Sequence, residues 1–144
     1  MTEEALAAED EVYRRIISRH YIHDGNLKRM RPSSAAFERR PDEDHASCYI
    51  GSLLVKHGLA PADILHMHEA LGLVSGPLAC LRKHGRDAAP DPGGTDPEHP
   101  HKCDPAHGKL LEPDGVSKGK LGRGWGLFAK DPCIKVVQEP RQIS

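Results

Sequence analysis

Residues 84–107 read H-G-R-D-A-A-P-D-P-G-G-T-D-P-E-H-P-H-K-C-D-P-A-H, and this stretch governs how the rest of the chain is divided. It holds five prolines, three glycines and five acidic residues, with no apolar periodicity. Proline locks φ and lacks a backbone donor, so the stretch forms neither a long helix nor a central strand. We expect a long Pro/Gly-rich loop, with an apolar half of the fold before it and a shorter one after it.

Upstream, Val12-Tyr13-Arg14-Arg15-Ile16-Ile17 is rich in β-branched and aromatic residues and predicts a strand. Alternation places Val12, Arg14 and Ile16 on one face and Tyr13, Arg15 and Ile17 on the other. His23-Asp24-Gly25-Asn26 and 40–44 carry turn residues. Ala35 to Glu38 and Ser47 to Ile50 read as short strands. Residues 61–71 read as the best helix, with Pro61 and Asp63 suiting its start, Ile64, Leu65, His68 and Leu71 on one stripe, and Gly72 as its stop. Leu73 to Ser75 reads as a strand, and Leu78 to Leu81 as a strand or short helix. Beyond the loop, Lys109 to Leu111 and Cys133 to Val137 read as strands. Leu121, Trp125 and Phe128 have helical spacing within 117–129, but Gly119, Gly122, Gly124 and Gly126 argue against a helix there. The sum is an α+β fold with a small mixed or antiparallel sheet and one or two helices. Residues 1–11 read as a flexible tail, 12–139 as a single domain and 140–144 as a C-terminal tail.

The chain has 144 residues, enough for one domain with a modest core. Its formal net charge of -1 supplies no global field for steering nucleic acid or an anionic membrane. Basic residues concentrate in 14–40, where eight Lys or Arg stand against two acids. Aromatic interleaving is sparse there, so sequence-specific reading of nucleic acid is not expected. There is no long apolar run for a membrane span and no apolar leader, which predicts a cytoplasmic protein. Cys48, Cys80, Cys103 and Cys133 form no CxxC pair and are expected to be reduced thiols.

Three constellations carry chemistry. His99, His101, Cys103 and His107 supply imidazole and thiolate, the groups zinc prefers; their crowding into one proline-broken loop departs from the usual paired ligand spacing, and a solvated His-rich loop is the alternative. Arg14 and Arg15 on a strand need a carboxylate or an anionic ligand if they turn inward, and the planar guanidinium suits phosphate. Ser34 and Tyr49 are placed to assist, with a salt bridge to Asp42, Glu43 or Asp44 as the alternative. His107, just before a strand, is a candidate acid/base group with no assignable nucleophile. His66 and His68 are two residues apart and do not share an ion from a regular helix.

V-Y-R-R-I-I, S-S-A-A-F-E and D-E-D-H-A-S-C-Y, with the later C-D-P-A-H-G-K-L-L, L-F-A-K and C-I-K-V-V, resemble a group of small bacterial proteins without an assigned activity. That resemblance carries no activity with it and implies only a setting, a defence, toxin–antitoxin or mobile-element cluster. Arg14 or Arg15 on the first strand, with Ser34 and Tyr49, also resembles the NAD-holding positions of RES-type ADP-ribosyltransferase-like domains. Three readings follow. The leading one is a binding module with a protein partner and no cofactor, because no complete catalytic set is present. The second is a nucleotide- or NAD-using enzyme, with Arg14 or Arg15 gripping phosphate and His107 as acid/base. The third is a zinc-stabilised domain.

Overall fold

The computed structural model describes residues 6–39, 45–92, 98 and 100–141. The elements, in chain order, are β1 (Glu11–Ile16), β2 (Tyr21–Asp24), β3 (Arg29–Pro32), β4 (Ser47–Ile50), α1 (Gly51–Lys56), β5 (Gly72–Pro77), α2 (Leu78–Lys83), β6 (Asp87–Pro90), β7 (His107–Leu111), α3 (Lys118–Lys130) and β8 (Lys135–Gln138). Single 3-10 turns lie at Ser18–His20, Ser34–Ala36, Pro61–Leu65 and Asp104–Ala106. The architecture is α+β. Six strands form an antiparallel sheet in the order β6-β7-β4-β1-β5-β8, and β2 and β3 form a separate hairpin.

The period of two along β1 separates two cores. Val12 and Ile16 join Cys48, Val74 and Leu110 under α3, where Phe37, Trp125 and Phe128 pack together. Tyr13 faces the other way, toward a second core of Tyr49, Leu54, Ile64, Leu65, Leu73, Cys103 and Ala106. The sheet is therefore covered on both faces, one by α3 and the other by α1 and two 3-10 turns.

Several expectations are corrected. Residues 118–130 do form a helix, and two of its glycines, Gly122 and Gly124, are close-packing positions. A Cβ on Gly124 would overlap the terminal nitrogens of Arg86, whose guanidinium lies 4.8 Å from the centre of the Trp125 ring. Arg86 also donates to Leu121 O at 2.8 Å, so α3 is notched to admit a cation. Residues 61–71 form only the 3-10 turn at Pro61–Leu65, since Met67 takes a left-handed φ of 68° and His101 Nε2 occupies the His66 carbonyl at 2.8 Å. Gly72 is no helix stop but the first residue of β5; a Cβ there would lie 2.6 Å from Pro140 Cδ, where the C-terminal segment passes. The expected strand at Ala35 to Glu38 is instead a 3-10 turn over Ser34–Ala36. Helix α1 starts directly from β4, with the Asp10 carboxylate accepting from Ser52 N at 2.9 Å, a long-range cap that local sequence does not announce.

The stretch 84–107 supplies β6, whose terminal proline is tolerated because β6 is an edge strand. Nor are all the thiols reduced: Cys80 and Cys133 are joined as a disulfide tying α2 to the segment before β8, while Cys48 and Cys103 are free and buried. Among the described residues, no helix is long and apolar enough to cross a membrane.

Candidate functional site

The sheet splits near its middle. Strand β1 pairs with β4 only through Val12–Ile50 and Tyr13–Tyr49. Beyond that point β1 continues along β5 to Ile16, while β4 follows β7 back to Ser47. The diverging strands open a crevice of about 450 Å³, within the usual range for small-molecule sites. Because neither Arg14 nor Arg15 has a β4 residue opposite it, both side chains line this crevice although they belong to opposite faces of β1.

The two arginines differ. Arg14 bridges the split, its Nε donating to Ala36 O and its Nη1 to Ser47 O. It fastens the 3-10 turn and the start of β4 where the strand ladder has ended. The Arg15 guanidinium lies 5.5 Å from the centre of the Tyr49 ring, a cation–π arrangement. Its Nη1 is buried and has no hydrogen-bond partner. A buried guanidinium nitrogen without an acceptor is costly, and an anion would relieve that cost.

The rest of the wall mixes basic with apolar residues, the latter being Ile17, Ala35, Ala36 and Leu71. Arg19, His20 and His68 line it, with Glu38 the one carboxylate among the lining residues. Burial lowers the His20 pKa, Arg19 and Arg14 lower it further, and Glu38 opposes them. Burial also lowers His68, followed by Arg15 and His101, against Glu69. Both imidazoles are thus biased toward the neutral form until a negative charge arrives. Burial raises the Tyr49 hydroxyl, with Arg15 pulling the other way, so it stays protonated at neutral pH.

The expected site residues divide accordingly. Arg14, Arg15 and Tyr49 come together in the crevice. Ser34 does not join them: it is turned toward α3, its Cβ near Gly126, in a separate groove. His107 is 2 % exposed and packs edge-on behind Tyr49, with Nδ1 2.9 Å from Asp91 O. It is not among the crevice-lining residues. Asp42, Glu43 and Asp44 lie outside the described residues. The sequence marks His20 only through the nearby Arg14, Arg15 and Arg19, and it places His68 on an apolar stripe rather than in a ligand set.

The described members of the expected zinc set do not converge. His99 lies outside the described residues. His101 uses both ring nitrogens, Nδ1 accepting from Cys103 N at 3.0 Å and Nε2 meeting His66 O. Burial pushes the Cys103 thiol up to about 11, and that of Cys48 up to about 12, so neither is a ready nucleophile. Chemically, the crevice gathers cationic and hydrogen-bonding side chains suited to an anion. Comparisons with models of protein families, with curated proteins and with solved structures found no match.

Proposed function

We propose that this chain is a binding module whose crevice holds a small phosphate-bearing ligand, with nucleotides the first class to test. The observation that carries the reading is Arg15 Nη1, buried and without a partner in a crevice whose wall also contains Arg14, Arg19, His20 and His68. A phosphate supplies several acceptor oxygens and matches a planar guanidinium. Neutral histidines beside it contribute hydrogen bonds and take up protons once it is bound. A protein partner remains compatible with this reading if it presents a phosphate or carboxylate to the crevice.

The test is a thermal-shift panel of inorganic phosphate, pyrophosphate, AMP, ADP and NAD. A ligand that binds the folded state raises the melting temperature in a concentration-dependent way. The expected result is stabilisation by at least one phosphate compound, lost in Arg15→Met. No shift from any compound at millimolar concentration would overturn the reading.

A further inference from the structure

We propose that Cys80, Cys133 and Asp131 form a zinc site in the reduced protein, at the junction of α2 and β8 and separate from the crevice. The Sγ atoms of both cysteines and a carboxylate oxygen of Asp131 lie within 4.8 Å of one another. Tetrahedral zinc with Zn–S near 2.3 Å separates two sulfurs by about 3.8 Å, so the two sulfurs, bonded to each other in this structure, have to part once reduced, while the Asp131 carboxylate already lies within reach of both. The donor set suits zinc, which takes thiolate readily and accepts carboxylate.

The surroundings already hold the carboxylate. Cys133 N donates to Asp131 Oδ1 at 3.0 Å, fixing the Asp-Pro-Cys turn. His84 Nε2 lies 2.9 Å from Asp131 Oδ2, and Lys83 Nζ 3.1 Å from the same oxygen. An outer histidine bonded to a ligating carboxylate is a common way of orienting it. The fourth position falls to solvent, since Cys133 and Asp131 are only partly buried.

With Cys80 and Cys133 joined as a disulfide, the sulfurs are not available as ligands. Reduction by a dithiol breaks the S–S bond with two electrons and two protons, and the dithiol becomes a disulfide. Zinc then displaces the two thiol protons to form two Zn–S bonds. The site therefore takes either a zinc ion or a disulfide, and both crosslink α2 to the segment before β8.

The experiment loads tag-free, fully reduced, anaerobic protein with zinc, removes excess by gel filtration and measures metal by elemental mass spectrometry. Cobalt substitution reports thiolate ligation through sulfur-to-metal charge-transfer absorption. The expected result is one zinc per chain, a thiolate band with cobalt, and at least tenfold weaker zinc binding in both Cys133→Ser and Asp131→Asn, with circular dichroism showing that each variant is folded. Should Cys133→Ser fail to fold, Asp131→Asn and the cobalt spectrum of the parent chain carry the test. Reduced protein that retains no zinc overturns the proposal. So does zinc retained equally by the folded variants, which would place the ion elsewhere, including the 101–107 segment.

Discussion

Arg15→Met separates a ligand-binding arginine from a structural one. Methionine keeps most of the aliphatic stem and removes the guanidinium. Two effects oppose each other in the ligand-free protein. The buried, unpartnered Nη1 costs the fold about 1–3 kcal/mol, which the substitution returns. The cation–π contact with Tyr49, at 5.5 Å, is lost, at about 0.5–1 kcal/mol. The net change is a gain of roughly 1 kcal/mol, or about 3–5 °C in melting temperature for a domain of this size. In the presence of a bound phosphate compound the order reverses: the parent chain is stabilised by mass action and the variant is not. The assay is urea unfolding followed through Trp125, the chain's one tryptophan and fully buried, with and without ligand. A variant at least 1 kcal/mol less stable without ligand, yet equally responsive to ligand, would refute the reasoning and make Arg15 a structural residue.

Gly124→Ala and Gly119→Ala should have opposite signs. The first drives a methyl group into Arg86 and should cost about 1–3 kcal/mol, whereas the second points into open space and should gain up to about 1 kcal/mol, both measured by urea unfolding. The lowered pKa values of His20 and His68 predict stability that is present above their unfolded value of about 6.5 and is lost as pH falls through their lower folded values. Phosphate affinity should rise across the same interval, because the anion favours the protonated imidazoles; calorimetric titration at two pH values checks the sign, and affinity that falls with falling pH removes both histidines from the site. Replacing Cys80 and Cys133 together by serine should lower the stability of the oxidised, chelator-treated protein by about 4 kcal/mol, from the loop closed across a separation of 53 residues. A loss below about 1 kcal/mol in guanidinium unfolding would show that the crosslink constrains little.

The β1, β4, β5 and β7 segments were legible because β-branched and apolar residues cluster in short runs, and their summed length already implied a sheet. Helix α3 was not. Its glycines carry an intrinsic cost that local sequence displays, while the compensation comes from Arg86, some forty residues earlier in the chain. The reverse error occurred at 61–71, where a helical stripe of Ile64, Leu65, His68 and Leu71 is cut by a left-handed Met67. Arg15 and Tyr49 could be singled out because a strand arginine needs a partner. The pairing that builds the crevice could not be read, since it depends on β1 and β4 parting after two residue pairs. His68 arrives there from a loop whose course is set by the His101 contact with His66 O. The Cys80–Cys133 link joins residues with no motif between them, and spacing alone does not reveal it.

The notched helix also has a kinetic consequence. Four of the thirteen residues of α3 are glycine, which lowers its intrinsic helicity by about 4 kcal/mol relative to alanine at those positions. A segment of that length with that deficit does not persist as a helix in isolation. It acquires order only by docking Trp125 and Phe128 against Phe37 and the sheet, with Arg86 already in place. The prediction is that the β strands nucleate and α3 condenses onto them after the rate-limiting barrier. In a chevron analysis, Gly119→Ala should slow unfolding and leave the refolding limb almost unmoved.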